Sequence, residues 1–167
     1  MSFSFLPTLL ADSPVRLTPP VLANMGVRLL MLDFDNTIVP YTTNIPTPEM
    51  AAWLTSVRDS HIAMCVISNS KKPRVVRFCE KYGLDCITGS KKPFSRGIRV
   101  CLKKYAADVR DCMLVGDQIF TDILGANCAG IRSVLVPSIH NHTVLLKLRH
   151  VAELPFIYAA RKRRKKL

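Results

Sequence analysis

Asp33-Phe34-Asp35-Asn36-Thr37, Ser68-Asn69-Ser70, Lys91-Lys92-Pro93, and Gly116-Asp117 with Asp122 are the stretches of this chain whose residue types could do chemistry together. Side by side they would supply four carboxylates, a lysine, and hydroxyl and amide groups. Carboxylates crowded at one point raise one another's pKa. A divalent cation removes that conflict, and Mg2+ prefers hard oxygen ligands while keeping some of its waters. The same set suits phosphoryl transfer. A phosphomonoester is anionic, so a carboxylate can approach it only where a metal ion and a lysine offset the repulsion and stabilise the developing charge. A carboxylate nucleophile divides hydrolysis into formation and breakdown of an acyl phosphate. A second carboxylate can protonate the leaving oxygen and then activate water. In an extended segment residues i and i+2 face the same side, so Asp33 and Asp35 can address one substrate. Any one of these acids taken alone reads as a cap or turn residue, and a lone lysine as a solvated one. The joint pattern carries the argument.

The elements that must position them alternate strand and helix. Val27 to Asp33 is an apolar run ending in an acid and reads as a buried strand. Thr47-Pro48-Glu49 has the order of an N-cap, a first-turn proline and a first-turn acid, so a helix is expected to about Ser60. Ile62 to Ser68 reads as a strand, Pro73 opens a helix that Gly83 closes, and Asp85 to Thr88 is a short strand. A helix is expected from Pro93 to about Ala106, a strand over Cys112 to Gly116, a helix over Thr121 to Ala129 and a fifth strand over Arg132 to Val136. The piece from Thr143 should be helical with a break near Pro155. Strands separated by helices make an α/β fold of three layers, with a central parallel sheet of Rossmann-like type. Ligands of such sheets bind beyond the carboxyl ends of the strands. The chemical residues all fall at those ends or at the helix starts that follow.

With these motifs in order, the chain resembles the haloacid dehalogenase (HAD) superfamily over residues 27 to 137. The D-F-D-N-T stretch matches its first motif, Ser68 the second, Lys92 the third, and Gly116-Asp117 with Asp122 the fourth. The resemblance implies that Asp33 is the nucleophile, Asp35 the acid/base, and Lys92, the lysine directly before the proline, the catalytic cation. It implies that Mg2+ is held by Asp33, the Asp35 carbonyl and Asp117, with Asp122 acting through water or on its neighbours. Ser68 would hold phosphate, and Asn69 would touch phosphate or cap the next helix. The Phe-Leu-Pro segment near the start, Ser68-Asn69, Lys92-Pro93 and the run from Gly116 to Asn127 are further similar to the YqeG family, a capless branch. Eukaryotic relatives of that family act on phosphatidylglycerophosphate, which makes this lipid the expected substrate. A phosphoprotein, a nucleic-acid end or another phosphomonoester is the alternative. The short gaps between Asp33 and Ser68, and between Ser68 and Lys92, leave no room for an inserted lid, which suits a phosphate on a large carrier.

The chain has 167 residues, 49% of them hydrophobic, and a net charge of +12. Half of that excess lies in Arg161-Lys162-Arg163-Arg164-Lys165-Lys166. Such a run attracts an anionic phospholipid surface or nucleic acid, and equally makes a solvated tail. A non-catalytic RNA- or ribosome-associated protein is therefore a second alternative, although aromatic residues do not interleave with the basic ones as in a stacking platform. Three segments are expected: 1–26, apolar, packing on the domain or a membrane surface through Phe3, Phe5, Leu6, Leu9 and Leu10; 27–140, the catalytic core; and 141–167, helical with the basic tail. The six cysteines contain no C-x-x-C and none is followed by arginine six positions on, which removes the thiol-phosphatase arrangement and suggests reduced thiols. His140 and His142 alone make a poor zinc site. No basic n-region precedes Arg16, and no apolar run nears the ~20 residues of a membrane span. A cytoplasmic protein is expected, with the inner face of the membrane as its peripheral site.

Overall fold

Neighbouring residues of a strand point to opposite faces, and in this chain both sets are apolar. A computed structural model describes residues 4–140, 144–163 and 166–167. Its strands are β1 (Leu9–Leu10), β2 (Leu29–Leu32), β3 (Ala63–Ile67), β4 (Asp85–Ile87), β5 (Cys112–Gly116) and β6 (Arg132–Leu135). They form one parallel sheet in the order β1-β6-β5-β2-β3-β4. The helices are α1 (Pro19–Asn24), α2 (Pro48–Asp59), α3 (Pro73–Tyr82), α4 (Arg96–Lys104), α5 (Leu124–Ala129) and α6 (Val144–Arg163). Leu30, Leu32, Val66, Met113 and Val115 face Leu22 of α1, Trp53 and Val57 of α2, and Val75 and Phe78 of α3. Leu29, Met31, Cys65, Ile67 and Leu114 face Ile98 and Cys101 of α4 and Ala126 of α5. The sheet is thus the middle of three layers. The Trp53 indole N–H donates to the Leu17 carbonyl (2.9 Å), so this aromatic belongs to the core.

Local chemistry sets most element ends. The Thr47 side chain accepts from the Met50 amide (3.2 Å) and caps α2. Gly83 ends α3 at φ 64°, a left-handed conformation that glycine adopts without a Cβ penalty. Three expectations are corrected. The helix placed from Pro93 begins at Arg96, because the Phe94 amide donates to the Lys91 carbonyl (2.9 Å) and closes a turn first. The break expected near Pro155 is absent, and α6 runs through it. Phe156, Ile157 and Ala160 pack against Leu10, Ile119 and Leu135, and Glu153 accepts from the Phe120 amide, which hold the helix on the body across the proline. A sixth strand, β1, lies beside β6, and the Leu167 amide closes its outer edge by donating to the Leu10 carbonyl (2.8 Å). Phe5 and Leu6 pack with Phe120 and Phe156, while Phe3 lies outside the described residues.

The chain runs from β2 outward to β4, then returns on the other side of β2 as β5 and β6. The order therefore reverses between β2 and β5. A crevice opens at the carboxyl ends of strands at such a point.

Candidate active site

Asp33 is the first residue after β2, and its amide donates to the Val115 carbonyl (2.9 Å). Asp117 is the first residue after β5. The pairing of Leu32 with Val115 sets these two strand ends level, on either side of the reversal. Asp122 reaches the same place from a wide π-type turn, Ile119–Ile123. Carboxylate oxygens of Asp33, Asp117 and Asp122 all lie within 4.8 Å of one another, and all three residues are buried.

Lys92 reaches into this group from the turn before α4. Its ammonium donates to Asp33 Oδ1 (2.7 Å) and the Ile67 carbonyl (2.6 Å) and pairs with Asp122 Oδ1 (2.7 Å). Its side chain is 1% exposed. Lys91 is exposed to solvent. Thr37 Oγ1 stands between Asp33 Oδ2 (3.2 Å) and Asp117 Oδ1 (3.3 Å). One hydroxyl proton cannot serve both oxygens.

Burial, repeated by Asp122 and Asp35 but opposed by Lys92, raises the Asp33 carboxyl to about 7. Burial alone would push the Lys92 ammonium down, yet Asp122 and Asp33 outweigh it and the net shift is upward. Burial also raises Asp35, against Arg74 and Lys72, which lower it. Asp33, Asp117 and Asp122 bring three buried carboxylates to one point, and Lys92 pairs with two of them. An all-oxygen donor set of this kind fits a divalent ion of the magnesium type.

Arg74, in the first turn of α3, was not marked by the sequence. Its guanidinium pairs with Asp35 Oδ1 (3.1 Å), donates to the carbonyls of Thr43 (2.7 Å), Pro40 (3.2 Å) and Tyr41, and lies 5.0 Å from the Phe34 ring centre. Four basic residues crowd this part of the chain, Lys71, Lys72, Arg74 and Arg77, and spacing alone does not separate them.

Ser68 is buried at the end of β3, and its Oγ accepts from the Ser70 amide (3.1 Å). Of the two roles expected of Asn69, capping is corrected: the N-cap of α3 is Lys72. Asn69 Oδ1 accepts from the Lys92 amide (2.7 Å) and Ser90 Oγ (2.8 Å), and its Nδ2 donates to the Lys92 carbonyl (3.0 Å). Asn69 thus fastens the Lys92 turn to the end of β3. Gly116 is required by contact: a Cβ there would lie 2.5 Å from Cβ, Cγ and Oδ2 of Asp122. His140 is exposed, and His142 lies outside the described residues.

The chain is similar to known proteins in sequence and in fold. A HAD-hydrolase-like family model matches residues 90–152, the stretch with Lys92, Asp117 and Asp122. The chain is similar to the probable phosphatase YqeG of Bacillus subtilis (strain 168), at 30% identity over 132 residues, 79% of this chain and 77% of that protein. In fold it is similar to the putative 3-deoxy-D-manno-octulosonate 8-phosphate phosphatase of Vibrio cholerae (TM-score 0.56, 16% identity, covering 78% and 76% of the two chains). It is likewise similar to the 3-deoxy-D-manno-octulosonate 8-phosphate phosphatase of Moraxella catarrhalis (TM-score 0.50, 16% identity, covering 83% and 94%), which was crystallised with a magnesium ion, a phosphate ion and its sugar. HAD phosphatases are metal-dependent, and the acid cluster here suits that requirement. The chain therefore belongs to the YqeG family of HAD phosphatases.

Proposed function

We propose that this phosphatase hydrolyses phosphatidylglycerophosphate to phosphatidylglycerol through an aspartyl-phosphate on Asp33, with Mg2+ as its metal. The observation that carries the mechanism is the Lys92 ammonium seated between Asp33 and Asp122, 2.7 Å from each, with Asp117 beside them. Mg2+ bound by Asp33, Asp117 and the Asp35 carbonyl, with Asp122 alongside, would supply positive charge against the three phosphoryl oxygens. Asp33 Oδ attacks phosphorus as the ester P–O bond breaks. Asp35 gives its proton to the departing oxygen, a role that suits a carboxyl raised by burial. Water then attacks the acyl phosphate and returns a proton to Asp35, releasing inorganic phosphate and the Asp33 carboxylate. Ser68 and the amides after it would orient phosphate, while Asn69 keeps the Lys92 turn in place.

The absence of an inserted lid among the described residues supports a substrate whose phosphate sits on something large. No helix among the described residues is long and apolar enough to cross a membrane. Phe5, Leu6, Leu9 and Leu10 are engaged with the body, so contact with a bilayer surface would fall to α6 and the exposed Arg161, Lys162 and Arg163. A cytoplasmic protein resting on the inner membrane face fits this arrangement. Phosphate release from phosphatidylglycerophosphate vesicles should outpace release from soluble phosphomonoesters, a phosphopeptide and a 5′-phosphorylated oligonucleotide, and should stop on chelation. Equal rates on all four would remove the lipid assignment. Family membership sets aside the non-catalytic RNA-associated reading.

A further inference from the structure

Beyond Asp117 the carboxyl edge of the sheet continues past β6 to β1, and a cleft of about 970 Å3 follows it under α6. Adjacent strands are ~4.8 Å apart, so two strand steps carry it roughly 10 Å from Asp117. Leu10 and Leu135 from the strands, Val136 after β6, and Leu154 and Ile157 from α6 give it an apolar side. Polar groups share the lining: Asp117 at the inner end, then Ser138, Asp12, Lys166, Tyr158 and Arg161. Ser138 Oγ is a buried hydroxyl with no hydrogen-bond partner among the described residues. Arg161 lines the far part from the last turn of α6 and is paired with no carboxylate among the described residues. Lys166, the other cation of the cleft, is already paired with Asp12 (2.8 Å). An arginine that pairs with no carboxylate among the described residues, at the far end of a part-apolar cleft that starts at Asp117, is suited to an anion joined to the reacting group and followed by hydrocarbon.

We infer that this cleft is a substrate subsite: it takes the phosphodiester and first acyl methylenes of a glycerophospholipid whose terminal phosphate lies at Asp33, with Arg161 neutralising the phosphodiester. The inference rests on the lipid reading above and adds to it where and by what the lipid is recognised. A nucleic-acid end also carries a phosphodiester next to its terminal phosphate. The apolar side favours the lipid, because a nucleoside would place polar base edges and sugar hydroxyls against Leu135, Leu154 and Ile157.

The probe is dihexanoyl phosphatidylglycerol, kept below its micelle concentration, which has the phosphodiester and chains but no scissile phosphate. Calorimetric titration should show binding to the full-length protein. Arg161→Ala should weaken it tenfold or more, on the order of one charge-assisted hydrogen bond, and Arg161→Lys should recover part of the loss. Dihexanoyl phosphatidylcholine, with no net charge, and a 5′-phosphorylated dinucleotide should both bind more weakly. Failure of the wild type to bind, an unchanged Kd for Arg161→Ala, or equal binding of phosphatidylcholine or dinucleotide would overturn the inference. Because the probe has no phosphomonoester, binding without turnover of phosphatidylglycerophosphate vesicles would leave the subsite standing and remove the substrate assignment instead.

Discussion

Replacing Lys92 by methionine tests the site as an electrostatic unit. The ammonium is buried and meets Asp33 Oδ1, Asp122 Oδ1 and the Ile67 carbonyl at 2.7, 2.7 and 2.6 Å. Methionine keeps the length and removes the charge, leaving two buried carboxylates without their cation. Removing one partner of a buried ion pair costs about 3–5 kcal/mol. Protonation limits that cost. Asp33 is raised to about 7 even with Lys92 lowering it, and it must rise further once Lys92 is gone. Its folded pKa then lies well above the unfolded value, so the folded state holds the extra proton and stability falls as pH rises through that window. Urea unfolding followed by circular dichroism in chelator should therefore show the full loss near pH 8 and roughly half of it or less near pH 5. Adding Asp122→Asn should recover part of the loss near pH 8, as expected of residues that share a contact. A loss below about 1 kcal/mol, or one independent of pH, would show that the three groups do not act together as the distances require.

Four further outcomes are expected. Asp33→Asn should abolish phosphate release from any substrate while keeping a urea midpoint near wild type, and normal rates from a folded variant would refute the nucleophile. Below about pH 7 a proton must leave Asp33 before a metal ion enters, so calorimetric Mg2+ affinity should drop about tenfold per unit as pH falls below that value and level off above it. Gly116→Ala, whose methyl would lie 2.5 Å from Asp122, should cost about 1–3 kcal/mol in urea unfolding and weaken Mg2+ binding. Arg74→Ala frees Asp35 from a cation that lowers its pKa, so the basic limb of the kcat–pH profile on a soluble phosphomonoester should move to higher pH, and Arg74→Lys should move it less.

Motifs at element ends were legible because burial and chemistry coincide there. An apolar run that stops at an acid marks both a strand and its functional edge, and Asp33 and Asp117 lie as that rule requires. Caps such as Thr47 and Gly83 announce themselves through backbone demands that few residues meet. What stayed hidden depends on contacts between distant positions. Arg74 looks like its basic neighbours until folding sets it against Asp35. Asn69 carried the right motif, but only the seating of the Lys92 turn shows which way its amide faces. β1 spans two residues, too few for any periodicity, and its partner lies more than a hundred positions away. The passage of α6 through Pro155 likewise follows from packing rather than local propensity.

The placement of Asp33 has a consequence for how the enzyme ages and breathes. β2 is bonded on both sides and buried on both faces, and the Asp33 amide itself is tied to β5. Amides of Leu30 to Asp33 should exchange hydrogen with solvent only when the whole molecule opens. Among the described side chains of α6 only Glu153 and Ala160 are fully buried, and that helix should exchange far sooner. The strand end that carries Asp33 and the helix that walls the proposed subsite thus belong to different tiers of stability, and on that reading the wall can loosen to admit a bulky molecule without disturbing the acid cluster.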